Sequence, residues 1–141
     1  MITKLNEEEA QEILRRNGLA RLGCIADGRP YVVPVNYLYD GEAIYIHSLP
    51  GRKIAALRRN PQACLQVDEI DAERDWRSVI AFGRYEEIAD EQRRAYYLKQ
   101  LLRRFPHLTP VESRLVINAG PIEVILFAIR IEEVTGLKEE W

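Results

Sequence analysis

Cysteine is scarce: Cys24 and Cys64 are the only two, each inside an apolar run and far apart in the chain. That excludes a disulfide framework or a CxxC pair and leaves buried free thiols as the expectation. Histidine is as rare, with only His47 and His107, and no HExxH, GxSxG, GxGxxG or GxxxxGK[ST] motif occurs. A protein-built metal site and a Ser-His-Asp triad are excluded on those grounds, and so are the two common phosphate-loop signatures. His107 reads as a surface residue. No apolar run approaches the ~20 residues of a membrane helix, and no apolar segment opens the chain, so a soluble, cytoplasmic protein without a membrane partner is expected. The formal net charge is only −2, which supplies no overall positive field to draw in nucleic acid. Any anion site must be local.

What is present is a chain of 141 residues, 47% apolar, enough to close a core as one domain spanning 1–141. Asn6 with Glu9 makes a capping box, and Arg15 and Arg16 precede Gly18, so residues 7–17 are expected to form a helix with one apolar stripe, Ala10, Ile13 and Leu14. Short β-rich runs follow at 19–26, 30–39 and 42–48, separated by Asp27-Gly28 and Asp40-Gly41, which supply hairpin turns. In the second run Tyr31, Val33, Val35, Tyr37 and Tyr39 share one face, and Val32, Pro34, Asn36 and Leu38 the other. Both faces are largely apolar, as suits a strand with a barrel interior on one side and a helix or second subunit on the other.

A helix is expected over 51–60, a strand over 62–69, a polar acidic link over 68–75 and a strand over 78–85. Asp90 caps a helix to about Phe105 with the stripe Ala95, Leu98, Leu102 and Phe105, around which Arg93, Arg94, Lys99, Arg103 and Arg104 make a basic, solvated face. Residues 122–131 read as a last, buried strand. Strands dominate and helices decorate.

The segment 44–67 carries the chemistry. A strand ends in His47 and Ser48, turns through Pro50-Gly51, and delivers Arg52 and Lys53 into the first turn of a helix. Free backbone N–H groups, the positive end of a helix dipole and two cations meet there, which suits a phosphate. Basic residues are unfavourable at a helix start by a few tenths of a kcal/mol or more. An anion site and an exposed turn with two solvated charges both fit the spacing.

The same segment resembles the strand–Thr-Asn-x-x-Ser-Arg-Lys–helix–Asn-Pro–strand stretch of the pyridoxamine-phosphate oxidases. His47 and Ser48 stand for Thr-Asn, Gly51 stands for Ser, and Arg52, Lys53, Asn60 and Pro61 match outright. The resemblance implies a six-stranded antiparallel split β-barrel with peripheral helices, holding FMN at a homodimer interface. It gives Arg52 and Lys53 the FMN phosphate, and Val33, Pro34, Val35 and Asn36 the strand edge beside the flavin ring. Ser78 falls at a flavin-contacting Gln position, in a run, Trp76 to Gly83, similar to the family's Gln-Val-x-x-x-Gly strand.

Tyr31 stands where the oxidases carry an Arg that adds to the phosphate grip, and their C-terminal substrate motifs are missing, so pyridoxamine-phosphate oxidation is not expected. His47, Pro34 and the closing Glu132, Glu133, Gly136 and Lys138 are more similar to the nitroimidazole-resistance branch. The implied function is an oxidoreductase that passes electrons from reduced nicotinamide, NAD(P)H, through FMN to a small organic substrate. His47 is the candidate catalytic residue, a proton donor by its neutral-range titration; a purely structural hydrogen bond is the alternative. A second reading is a carrier or sensor barrel that binds FMN, haem or deazaflavin without turnover.

Overall fold

A computed structural model of the chain describes residues 1–106 and 123–141. His107 and the expected strand start at residue 122 lie outside them.

The local signals in the first third act as their chemistry demands. Asn6 accepts from the Glu9 N–H at 2.8 Å while the Glu9 carboxylate accepts from the Asn6 N–H, and helix α1 (Glu7–Arg16) buries Ala10, Ile13 and Leu14. Asp27 and Gly28 take φ of 53° and 75°, the left-handed pair of a tight hairpin, between β2 (Leu19–Ala26) and β3 (Arg29–Asn36). A short β4 (Leu38–Tyr39) follows, so the expected run 30–39 is two strands parted by Tyr37. Next come β5 (Ala43–Ser48) and α2 (Arg52–Arg59), and then the hairpin of β6 (Gln62–Ala72) and β7 (Asp75–Glu87). Helix α3 (Glu91–Arg104), capped by Asp90, and β8 (Ile125–Glu139) complete the order, with β1 (Ile2–Lys4) at the start.

All pairings are antiparallel, in the order β3-β2-β6-β7-β8-β5-β4, with β1 on β8. β3 and β4 sit at opposite edges of this sheet, yet one residue separates them. Two Cα steps span at most about 7.6 Å, so the sheet must roll until its edges meet at Tyr37. The result is a split β-barrel with helices around it. Tyr37 is fully buried, and its hydroxyl donates to the Leu14 carbonyl at 2.7 Å while its N–H donates to the Gly18 carbonyl at 3.0 Å. The barrel interior is filled by residues such as Leu22, Ile44, Ile46, Leu65, Val67 and Phe127, and α1 and α2 add Ile13, Leu14, Ile54 and Leu57. A smaller cluster, including Tyr45, Leu101, Leu126 and Ala128, lies under α3.

Several expectations need correction. Among the described residues eight strands stand where six were expected, because β1 is a short piece with no apolar periodicity of its own and the run 30–39 is parted at Tyr37 into β3 and β4. The supposed link at 68–75 is the tip of the β6–β7 hairpin, with Asp68 opposite Ser78 and Ile70 opposite Trp76. Its acids do not end the strand because cations neutralise them: Asp68 pairs with Arg21 at 2.9 Å, and Glu69 accepts from Arg16 and Asn17. β8 runs to Glu139, well past residue 131, since β7 pairs along its charged second half as well as its apolar first half. In α3 the fully buried leucine is Leu101, while Leu102 is 43% exposed. Tyr97 and Leu98 share the Leu101 side of the helix, and Tyr97 stacks on Tyr45 at 3.7 Å, which fixes which stripe faces the sheet. Cys24 is buried as expected, whereas Cys64 is half-buried on the outer face, beside Gly23.

The Arg16 hydrogen bond, opposed by partial burial and reinforced by Asn17, holds the Glu69 carboxyl down at about 2, from an ordinary 4.5. A folded-state value below the unfolded one stabilises the fold above pH 4.5, and that contribution disappears as pH falls through about 2. Glu69→Gln is therefore expected to cost no more than about 1 kcal/mol at neutral pH, given the solvent around the pair. Thermal unfolding of both proteins at stepped pH checks this: the gap should close towards pH 2, and a constant gap would count against the ion pair.

Among the described residues no helix is long and apolar enough to cross a membrane.

Candidate functional site

Helix α2 begins differently from its two companions. α1 is capped by Asn6 and opens on Glu7, Glu8 and Glu9; α3 is capped by Asp90 and opens on Glu91. α2 has Gly51 at its N-cap, no side-chain cap and no acid in its first turn, so neither the cap nor the turn supplies an acceptor or a negative charge, while Arg52 and Lys53 add positive charge. Gly51 is extended there, at φ −179°, so its contribution is the missing side chain and not an unusual backbone.

One neighbour aims the arginine. The Arg52 guanidinium lies 5.1 Å from the centroid of the Tyr31 ring, a cation–π contact that aims it across the end of β3. Tyr31 is the cross-strand partner of Cys24. Burial pushes the Cys24 thiol up and nearby Cys64 adds to this, while Lys53 is close enough to pull it back down. Sequence reasoning saw Tyr31 as one of the residues on a face of β3 and as a lost arginine, and Cys24 as core; the pairing of residues 24 and 31 across the Asp27-Gly28 turn was the available signal.

Strand β3 forms one wall. Val35 is buried, Tyr31 and Val33 are half-buried towards the core, and Val32, Pro34 and Asn36 are exposed on the other face. Among the described residues β3 pairs only with β2, so its far edge carries unladdered backbone there. Pro30 and Pro34 share one parity, which suits nitrogens on that unpaired edge, where no donor is needed. The Asn36 amide donates to the Gly18 carbonyl at 3.1 Å.

The other predicted residues separate. On β5, Ser48 has the parity of Ile44 and Ile46 in the barrel, and His47 has that of Tyr45 under α3. Ser48 is buried and donates its hydroxyl to the Leu49 carbonyl at 2.8 Å; His47 is half-buried, with Nδ1 shielded from solvent. Ser78 lies on the outer sheet face, across β2 and β6 from Asn36, about 14 Å away at three strand spacings. Its hydroxyl accepts from Gln66 Nε2 at 3.0 Å, and the same amide nitrogen donates to Asp68, which pairs with Arg21. One chain thus brings Arg52 over Tyr31 with Lys53 near Cys24, runs Val33 and Val35 along β3 away from them, and sets Asn36 and Ser78 on its outer wall.

The profile of the family described as pyridoxamine 5'-phosphate oxidase matches residues 6–138. The chain belongs to that family. An uncharacterised protein of Rhizobium meliloti (strain 1021) is 34% identical to it over 141 residues, covering 94% of this chain and 91% of that one. A crystal structure of a FAD-binding protein from Mesorhizobium loti superposes with a TM-score of 0.80 at 33% identity, covering 100% and 98% of the two chains. A candidate 5-nitroimidazole antibiotic resistance protein from Bacteroides thetaiotaomicron gives 0.73 at 22% identity, covering 97% and 87%, a likeness of fold.

At residue 31 an aromatic ring lies under the Arg52 guanidinium and holds it from one side, leaving its planar edge for a bidentate partner.

Proposed function

We propose that the chain is a flavoprotein acting as a homodimer, in which Arg52 and Lys53 hold the phosphate of an FMN moiety and the edge of β3 at Val33, Pro34, Val35 and Asn36 lies along the flavin ring. The observation that carries this is the start of α2, which has no side-chain cap and no acid in its first turn and where the Arg52 guanidinium, followed by Lys53, lies over Tyr31. A relative named as FAD-binding at 33% identity supports a flavin as the ligand. From Tyr31 to Asn36 the strand spans about 16 Å, room for a ribityl chain and a ring system laid end to end.

The outer face of the sheet supports the second copy. Val32 is 63% exposed, Leu19 55%, Phe82 40% and Ile25 37%, and Val32, Gly23, Cys64 and Phe82 form one cross-strand row. Such a row is what an isologous interface buries. Ser78 shares that face, so a two-fold pairing would bring it from one subunit towards the flavin of the other.

When bound, the flavin supplies hydride or electron transfer, here proposed from NAD(P)H to a small organic acceptor. The chain's own residues orient and neutralise it. His47, at the end of β5 and five residues before Arg52, is the candidate proton donor to reduced substrate.

Sedimentation recorded at both the protein band and the blue flavin band reads binding and assembly together. Added flavin is expected to move the boundary to dimer at micromolar concentration, with the flavin travelling at the dimer's rate. A monomer that carries tightly bound flavin would sink the interface site and leave the phosphate turn alone.

A further inference from the structure

The basic residues of α3 do not share one solvated face. Arg93 meets Glu86 at 3.9 Å and Arg94 donates to the Val124 carbonyl, whereas Arg103 and Arg104 border a groove of about 420 Å³ between α3 and the β4–β5 turn. Its helix wall is Tyr96, Tyr97, Gln100, Arg103 and Arg104, positions spaced 0, 1, 4, 7 and 8, hence one stripe of α3. Leu38 and Tyr39 stand opposite. The buried Tyr45 stacks on Tyr97 with ring centroids 3.7 Å apart, and Tyr96 stands at 83° to Tyr97 with centroids 5.0 Å apart. A flat ring laid parallel to the exposed Tyr96 is therefore edge-on to Tyr97, one of the two arrangements that aromatic quadrupoles favour.

The groove carries a different sign at each end. Asp40 makes the first end negative: its carboxylate accepts from the Glu42 and Ala43 N–H groups at 2.9 and 2.8 Å and from the Tyr97 hydroxyl at 3.2 Å, which also holds the Tyr97 ring in place. Partial burial works against that charge, but the two N–H groups and the Tyr45 and Tyr97 hydroxyls outweigh it and keep the carboxyl below its ordinary value. Arg103 stands about 9 Å further along the helix axis than Tyr97. Arg104 lies beside it, steadied over the Phe105 ring at 5.4 Å. The geometry points to a binding site for a planar aromatic monocarboxylate of one or two rings, its ring on Tyr96 and Tyr97 and its carboxylate on Arg103. Asp40 fixes the direction, since a carboxylate is repelled at the tyrosine end and gripped by a planar guanidinium at the other. A volume at the lower end of the range for small-molecule sites suits a ligand of that size. The site shares no residue with the α2 turn, so it stands or falls apart from the flavin.

Calorimetric titration of the full chain with benzoate, cyclohexanecarboxylate and benzyl alcohol tests ring and charge separately. Benzoate is expected to bind below about 1 mM, with cyclohexanecarboxylate at least about fivefold and benzyl alcohol at least about tenfold weaker. Arg103→Gln is expected to weaken benzoate about tenfold, while Lys99→Gln, which removes a cation of the same helix outside the groove, changes it less than about twofold. Tyr96→Leu is expected to bring benzoate and cyclohexanecarboxylate to equal affinity. Tyr96, Lys99 and Arg103 are exposed, so these substitutions leave the core intact. Absence of benzoate binding at 1 mM, or a ring preference that survives in Tyr96→Leu, overturns the site. Equal losses in Lys99→Gln and Arg103→Gln would show mere attraction to a basic helix and overturn it as well. Benzoate binding that persists in Arg103→Gln but disappears when Arg52 and Lys53 are both alanine would assign the acid to the α2 turn and overturn the proposal.

Discussion

Replacing Arg52 and Lys53 together by alanine weakens FMN at least about a hundredfold and leaves riboflavin nearly unchanged. Each cation contributes a charge-assisted bond of roughly 1.5–3 kcal/mol to a phosphate, and two of them exceed the 2.7 kcal/mol or so that a hundredfold represents. The helix is fastened by the buried Ile54 and Leu57, while Arg52 is exposed and Lys53 half-buried. The substitution therefore separates binding from folding. Fluorescence titration of both ligands checks it, and equal losses for the two would show that the turn does not hold the phosphate. Tyr31→Leu offers an internal control, because removing the ring frees the Arg52 guanidinium without removing its charge.

Gly83→Ala should be the most damaging single methyl group in the chain. Gly83 is buried on β7 at the register shift where Phe82 faces Glu133 and Gly83 faces Ile131. A Cβ there would stand 2.1 Å from the Arg130 carbonyl oxygen and 2.8 Å from its carbon. Both are backbone atoms of the strand β7 pairs with along most of its length, so no rotamer change relieves the contact. Overpacking usually costs 1–3 kcal/mol, and with backbone forced to move about 3 kcal/mol is expected, a fall of roughly 10 °C in Tm. Calorimetry of wild type and variant reads this directly. A change under about 1 kcal/mol would mean that β8 yields at the bulge.

That glycine shows how much the sequence made legible. As a motif it was visible at the close of the Trp76 to Gly83 run, but its reason, a carbonyl from a strand about fifty residues later, exists only once β7 and β8 pair. Signals written within a few residues were readable: the Asn6–Glu9 box, the positive-φ pair at Asp27-Gly28, the alternation of Tyr31, Val33 and Val35, and the basic start of α2. Signals created by pairing were not. β1 is three exposed residues held by β8, and the β6–β7 tip is acidic chain kept straight by Arg16 and Arg21. α3 carries apolar residues on two overlapping stripes, and only the Tyr45–Tyr97 stack chooses between Leu101 and Leu102. In the site, the turn was legible and the distribution was not, since residues 36 and 78 reach one face through three strands of register.

Pro30 and Pro34 on the free edge of β3 have a further meaning for the molecule in a crowded solution. A strand with an open ladder is a template on which another chain can add, and successive additions lead to fibrous aggregates. Two missing donors at alternate positions leave carbonyls that can accept but too few N–H groups to complete a ladder with an incoming strand. The edge stays open to a small ligand that brings its own donors and closed to a polypeptide that needs them returned.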